Sequence, residues 1–249
     1  MESELIMAIG NEFKSSGITE NTPKTIMLGA GTIHKNLTFG YTVLTEEPTD
    51  WNTNKTSYFT RSGSSSNYTY IACTNSTEWA ANTIYRQGWN FDESLLCATS
   101  GGSKLTITPE FYDVPVDGAL VKVKGLTVKV GETATMEINP IEITPEILKM
   151  ALIGDEKTAT IEVGYNEITS RAIIATGDYL TKMGYVGKTV EGKPVIIVFD
   201  NALCTSGLEL EGKNKEAAVP KFTFECFADL SPEADTLPWH IYYPTPASV

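Results

Sequence analysis

Alternation of apolar and polar side chains is the feature that most constrains how this chain can fold. It is clearest in FTFECF, residues 222–227, where Phe222, Phe224 and Cys226 fall on one side of an extended chain. A period of two residues is typical of a strand in a half-buried sheet. The segment WHIYYP, residues 239–244, follows and is rich in aromatic side chains. We predict a core strand at 222–227 and expect the aromatic segment to pack either on its own domain or on another copy of the chain.

The composition favours strands over helices. The chain has 249 residues, of which 41% are hydrophobic, which suits one large all-β domain or two small ones. Strand-forming Ile, Val, Thr, Tyr and Phe are frequent, and glycine and proline are scattered between them. We therefore predict a mainly β fold.

The charge of the chain restricts its partners. The net charge is −12, from 31 acidic and 19 basic residues that are spread along the sequence. Because phosphate binding needs a basic face, this excludes a non-specific nucleic-acid binder, although an acidic wall could surround DNA without holding it. No window approaches the ~20 apolar residues of a membrane span, and the first residues lack a signal-peptide pattern. We expect no membrane contact and four reduced cysteines: Cys73, Cys97, Cys204 and Cys226.

Turn signals divide the chain into about ten predicted strands. Two of them, 120–130 and 133–139, are expected to form a hairpin across Gly131-Glu132. Other strands are predicted at residues 25–37 with a glycine break, 105–111, 158–165, 185–190, 193–199 and 207–211. One helix is predicted to follow Thr144, which suits the N-cap, with Pro145 in its first position and Gly154 at its end.

The character of the sequence also changes along the chain. Residues 1–22 are polar and are predicted to form an N-terminal arm. Residues 41–96 are rich in Ser, Thr, Asn, Tyr and Trp, and they are too long for an ordinary loop, so we predict a small inserted β module there. The main domain would then consist of residues 23–40 and 97–249.

Catalytic motifs are weak throughout. His34 and His240 could each act as a base, but no GxSxG elbow accompanies them, and we interpret both as packed or surface residues. The isolated cysteines do not have the spacing of a zinc site. Glu209 and Glu211 could serve glycoside hydrolysis, but an exposed acidic strand face is the simpler interpretation. We therefore expect no enzyme activity, no cofactor and no bound metal.

Several segments, in this order, resemble the major tail tube proteins of long-tailed (siphovirus-type) phages of Gram-positive hosts. TIMLGAGTIHKNL (25–37) is similar to that family's opening strand and glycine break, and ATSGGSKLTITPEFYDVPVDGALVKVKG (98–125) to its glycine pair, next strand and turn. NPIEITPEILKMAL (139–152) is similar to its helix, and residues 184–244 to its closing strands and aromatic-proline end. The likeness covers roughly residues 23–38 and 98–244, whereas residues 46–86 depart from the simplest members.

The resemblance implies a β-sandwich or barrel with a flanking helix, assembled as hexameric rings that stack into a tail tube. Such a tube surrounds a tape-measure protein, contacts tail terminator and distal tail proteins, and later conducts double-stranded DNA without binding it specifically. The protein would then occur in the host cytoplasm during assembly and in the virion tail afterwards. The inserted module is expected on the outer surface, because a module of that size inside would block the channel.

Two sets of residues are candidates for roles in such a tube. Four glutamates that alternate with apolar residues are candidates for the lumen: Glu162, Glu209, Glu211 and Glu225. The aromatic segment offers candidates for contacts between copies, together with the arm at 1–22: Trp239, Ile241, Tyr242 and Tyr243. Two alternatives stay open, namely a tube subunit of a contractile or phage-derived particle, and a carbohydrate-binding or adhesin module whose inserted Tyr and Trp side chains stack on sugars.

Overall fold

The computed structural model of the chain describes residues 26–64, 67–118, 120–212, 214–215, 217–229 and 236–245. The fold is mainly β, with 48% of the described residues in strands and 8% in helical segments. This confirms the prediction of a mainly β fold with one flanking helix. The predicted N-terminal arm, residues 1–22, lies outside the described residues.

Fourteen strands occur within these ranges. They are β1 (Met27–His34), β2 (Phe39–Val43), β3 (Tyr58–Ser64), β4 (Asn67–Ala72), β5 (Ile84–Trp89), β6 (Leu95–Cys97), β7 (Lys104–Asp113), β8 (Thr127–Ile138), β9 (Gly154–Thr158), β10 (Asn166–Ser170), β11 (Leu180–Thr189), β12 (Pro194–Cys204), β13 (Phe222–Phe227) and β14 (Trp239–Tyr242). The α-helices are a single turn, α1 (Phe91–Ser94), and the two-turn α2 (Pro145–Leu152). Short 3-10 helices lie at Lys55–Ser57 and Thr176–Asp178.

The main sheet has eight antiparallel strands in the order β6-β1-β11-β12-β13-β8-β7, with β14 added beside β12. Strand β12 changes partner at Asp200: its first half pairs with β14 and its second half with β13. The backbone N–H of Asp200 donates to the carbonyl of Pro238 at 2.8 Å, which fixes β14 at this point. The sheet curls around its core, since Leu105 of β7 and Tyr185 of β11 line one recess of about 240 Å³.

The core of the main domain lies on the concave side of this sheet. It contains Met136, Met183 and Phe199, together with Phe222 and Phe224 of the predicted core strand, and all five are fully buried. Burying each large apolar side chain stabilises the fold by roughly 1.5–3 kcal/mol relative to leaving it in water. The alternation in residues 222–227 therefore predicted both the strand and its buried face correctly.

Helix α2 closes one side of the core. Its cap is as predicted, because the hydroxyl of Thr144 accepts from the N–H of Ile147 at 3.3 Å, and Ile147 and Ala151 are buried. The helix ends at Ile153, which adopts a left-handed conformation with φ of 51°. The predicted stop at Gly154 is therefore wrong by one residue, and Gly154 instead begins β9. A side chain there would meet the carbonyl oxygen of Thr169 at 2.7 Å, so the close approach of β10 requires glycine.

A second sheet forms the insertion, in the order β2-β5-β3-β4. It has its own small core of Trp51, Tyr58, Cys73 and Ile84. Its first strand begins at Phe39 and its last strand in the sequence ends at Trp89, whereas the inserted module was predicted at residues 41–96. Strand β6, which that range partly included, pairs with β1 of the main sheet.

Three segments with alternating side chains were predicted as strands but are not strands. Residues 120–126 are not in a strand, and β8 runs straight through Gly131-Glu132, so the expected hairpin turn is absent there. The register of β7 and β8 shifts between Glu110 and Phe111, and the chain reverses between Asp113 and Thr127 instead. Residues 159–165 are the connection between β9 and β10. Residues 207–211 follow β12 and belong to no strand. An alternating segment forms a strand only where it can pair with the edge of another strand. In the described part of the chain, no strand pairs with these three segments.

Candidate assembly surface

The first histidine lies in the interior of the protein. His34 is buried, with its Nδ1 2.9 Å from the Ser94 hydroxyl and its Nε2 2.7 Å from the Thr32 hydroxyl. Burial lowers the pKa of His34, which favours the neutral ring. A ring whose two nitrogens are occupied inside the protein is a packed core histidine, as the sequence interpretation held.

The second histidine lies at the partner change of β12. The carboxylate of Asp200 accepts from Lys182 Nζ at 2.6 Å, and its other oxygen is 3.5 Å from His240 Nε2. These residues join β11, β12 and β14 and so hold three strands together. No group of three or more His, Cys, Asp or Glu side chains placed to hold a metal ion occurs among the described residues.

The cysteines are free thiols in buried or half-buried positions. Burial raises the pKa of Cys97 to about 11 and that of Cys226 to about 12. The Cys226 thiol also donates to the carbonyl of Pro238 at 3.1 Å. Thiols held in the neutral form are weak nucleophiles and weak metal ligands, so these cysteines serve packing.

One apolar surface segment, which we call the arm and which is distinct from the N-terminal arm, consists of residues 111–118 and 120–130. It consists of the far ends of β7 and β8 and the loop between them. Its exposed apolar side chains are Phe111, Tyr112, Val114, Val116, Leu120, Val121, Val123, Val128 and Val130. The loop also forms a shallow recess of about 320 Å³ that Val114, Val116, Val121 and Val123 line. A contiguous apolar surface of this kind marks an interaction site.

A second apolar protrusion is the connection between β9 and β10, which we call the hairpin tip (residues 159–165). Ile161 is 95% exposed and Val163 is 98% exposed, with Glu162 between them. Tyr165, Ile173 and Ile174 extend the apolar surface at its base. The arm and the hairpin tip are the residues that sequence reasoning missed: their alternation was recognised and assigned to strands, but their exposure was not predicted.

The convex face of β7, β8 and β13 is polar. The paired residues on this face are mostly threonines: Thr106, Thr108, Thr133, Thr135 and Thr223, with Glu137 and Glu225 among them. Glu137 pairs with Lys221 at 2.5 Å and with Lys104 at 3.4 Å, and the hydrogen bond from Lys221 is the main cause that lowers the pKa of Glu137. The face therefore carries compensated charge and short hydroxyl side chains.

The four glutamates proposed for the lumen do not share a strand face. Glu225 lies on β13, on the threonine-rich face. Glu162 is at the hairpin tip, and Glu209 and Glu211 follow β12 in a segment without strand pairing. The reason given for the last three, alternation within a strand, is therefore wrong. The lumen role itself stays a prediction.

The aromatic segment forms the short strand β14 on its own domain. Trp239 packs against the main core, whereas Ile241, Tyr242 and Tyr243 are each about half exposed. The ring of Tyr242 also meets Trp89 of the insertion, with centroids 5.0 Å apart. One of the two sequence interpretations, packing on its own domain, is thus correct for Trp239 and Tyr242. Contact of these four residues with another copy stays a prediction.

Comparison with known proteins does not assign this chain to a family. No protein-family model matches the sequence, and no curated protein matches it. In the part of the chain that the structure describes, no helix is long and apolar enough to cross a membrane.

Proposed function

We propose that this protein is a structural subunit of a phage tail, which forms hexameric rings that stack into the tail tube and conduct DNA. The observation that carries the proposal is the pair of apolar protrusions, the arm and the hairpin tip. Leu120 is 100% exposed and Val121 is 78% exposed, and such side chains are costly to leave in water on a subunit that works alone. The resemblance of the sequence to tail tube proteins supplies the class of assembly.

The open edge of the main sheet supports the same proposal. Strand β7 ends the sheet and has no second strand partner among the described residues. An unpaired edge is a hazard for a soluble monomer, but it is a means of assembly for a subunit of a polymer. Contacts between unlike surfaces, such as an edge and an arm, close into rings or continue as stacks.

The threonine-rich face is our candidate for the tube lumen, with Glu225 on it. Hydroxyl side chains and compensated ion pairs offer DNA no basic surface, and the net charge of −12 acts in the same direction. The insertion packs on the other half of the curled sheet, where Leu37, Ile196 and Val198 meet Trp89 and Phe91. We expect the insertion on the outside of the tube, because a module of that size inside would block the channel. The tape-measure, tail terminator and distal tail proteins are the partners of such a tube, in the virion and, earlier, in the host cytoplasm.

The same surfaces would suit a tube subunit of a contractile or phage-derived particle. The carbohydrate-binding alternative has weaker support from geometry. Tyr41 and Tyr70 of the inserted sheet are stacked on each other, with ring centroids 3.8 Å apart and an angle of 5° between the rings. Phe59 and Tyr85 pack edge-on against this pair. Because these rings pack against one another, they do not form an open platform for a sugar.

Sedimentation velocity tests the proposal. The wild-type chain should form large species as its concentration is raised, and Leu120→Asp should shift the distribution towards monomer while the circular dichroism stays unchanged. Thr69→Asp, at an exposed position of the inserted sheet, is the control and should still form large species. A wild-type chain that stays monomeric at every concentration would overturn the proposed function.

A further inference from the structure

We propose that residues 120–124 of one copy pair as an added β-strand with the hairpin tip of a neighbouring copy, with Glu162 facing Lys124. This inference rests on the proposed function, because it names the contact by which copies of the chain would join. We call residues 120–124, LVKVK, the lysine segment. The observations that carry it are the patterns of the two segments, their exposure, their charges and their unpaired backbone.

The lysine segment and the hairpin tip have sequences typical of strands, but both lie in loops. Val121 and Val123 alternate with Lys122 and Lys124, and in the hairpin tip Ile161 and Val163 flank Glu162. β-Branched residues in alternation favour a strand. Within the described residues, the lysine segment and the hairpin tip belong to no sheet. A strand sequence without a strand partner in its own chain fits a partner in another chain.

Exposure indicates that the two segments do not meet within one copy. Ile161 and Val163 at the hairpin tip are almost fully exposed, as is Leu120 in the lysine segment, where Val121 is 78% exposed. Pairing them would remove several highly exposed aliphatic side chains from water in one contact. The recess of about 320 Å³ beside Val121 and Val123 offers a place for the side chain of Ile161 or Val163.

The charges of the two segments are complementary. Lys122 already pairs with Asp113 of the arm at 2.5 Å. Lys124 has no ion-pair partner within the described residues, and neither has Glu162. Opposite charges on facing strands stabilise a pair, and like charges on facing strands destabilise it. The lysine segment and the hairpin tip therefore offer matching unpaired charges beside matching aliphatic side chains.

The backbone of the two segments is also free to pair. Residues 160–164 make no backbone hydrogen bond within the described part of the chain, where the connection is closed by the Ala159 N–H and the Tyr165 carbonyl at 2.9 Å. In the lysine segment, only the carbonyl of Val123 is used, by the N–H of Leu126 at 3.1 Å. Main-chain hydrogen bonds between copies would thus replace bonds to water, as they do when a strand is added to a sheet edge.

A second acidic segment is an alternative partner for the lysine segment. Residues 208–211, LELE, also alternate, and Glu209 is exposed. However, Leu208 packs against the core of its own domain, which leaves this segment less free to approach another copy. We therefore assign the contact to the hairpin tip and use Glu209 as the control.

Charge reversal in two chains tests the pairing. Glu162→Lys alone and Lys124→Glu alone should each raise the concentration needed for assembly by about tenfold, because each places like charges on the two facing segments. A mixture of the two variants should co-assemble at the wild-type concentration, since each lysine at position 162 then meets a glutamate at position 124. The chain that carries both changes should also assemble on its own.

Glu209→Lys should assemble as the wild type does, and the thermal melting of each variant below its assembly concentration should match that of the wild type. The pairing is overturned if Glu162→Lys assembles normally, if the mixture does not recover, or if Lys124→Glu is rescued by Glu209→Lys. In each of these cases a wild-type chain that polymerises leaves the proposed function standing. A wild-type chain that never polymerises removes the proposed function instead.

Discussion

The ring of Trp89 meets the ring of Tyr242 edge to face, with centroids 5.0 Å apart and an angle of 63° between the planes. This contact joins the last strand of the insertion to the last strand of the main sheet. Residues far apart in sequence thus link the two sheets, and the aromatic segment fastens the insertion as well as the core. The orientation of the insertion on the subunit depends on this contact together with the cluster around Leu37.

The coupling between these two rings can be measured. In a double-mutant cycle with Trp89→Leu and Tyr242→Leu, we expect an interaction free energy of about 1 kcal/mol, which is typical of an edge-to-face aromatic pair. Urea unfolding below the assembly concentration gives the four values required. Additive effects of the two substitutions would show that the rings do not interact.

Core and hairpin-tip residues should respond in opposite ways to truncation. Phe222→Ala should lower the free energy of unfolding by about 3–5 kcal/mol, because it leaves a cavity in the main core. Ile161→Ala should change the stability of the monomer by less than about 0.5 kcal/mol, since its side chain is exposed. Chemical denaturation of both variants checks this, and a large loss on Ile161→Ala would place the hairpin tip in a core.

The cap of α2 gives a prediction with a conservative control. Thr144→Ala should lower the free energy of unfolding by about 1 kcal/mol, because the N–H of Ile147 loses its acceptor. Thr144→Ser keeps an oxygen in place and should recover most of that loss. Equal destabilisation by alanine and serine would mean that the methyl group, not the hydroxyl, stabilises the helix.

Acid should weaken the fold through His34. Its pKa is lowered in the folded state from the ordinary value of 6.5. As the pH falls, His34 is therefore protonated in the unfolded chain before it is protonated in the folded chain. Stability contributed by the neutral ring is therefore complete above pH 6.5 and declines as the pH falls below it. Urea midpoints at pH 7.5, 6.5 and 5.5 should show this decline in the wild type and a smaller one in His34→Gln. Parallel declines in both proteins would remove His34 as the cause.

Local features of the fold could be predicted from the sequence, and features that depend on a partner strand could not. The strand at 222–227 and the cap at Thr144 follow from side chains within a few residues of each other. The change of partner along β12 at Asp200 joins segments distant in sequence, and no local pattern encodes it. The segments 120–126, 159–165 and 207–211 show the same limit, because alternation predicts that a segment can be a strand but does not predict whether an edge is available.

The same limit applies to the assembly surface. Sequence reasoning placed candidate contacts at Trp239 and Tyr242, where aromatic residues are dense, and the structure packs both on their own subunit. The exposed aliphatic residues of the arm and the hairpin tip were predicted only as parts of strands, because alternation does not distinguish a core from an interface between copies. Their exposure in the folded subunit is the information that the sequence lacked.

Electron microscopy of the purified full-length chain, recorded over a range of concentrations, tests the central claim most directly. The account predicts rings of six subunits that stack into tubes with an open lumen and with the inserted sheet on the outside. Leu120→Asp should leave single folded subunits on the same grids. Uniform single particles of the wild-type chain at every concentration, with no rings or tubes, would contradict the claim that this protein builds a tube.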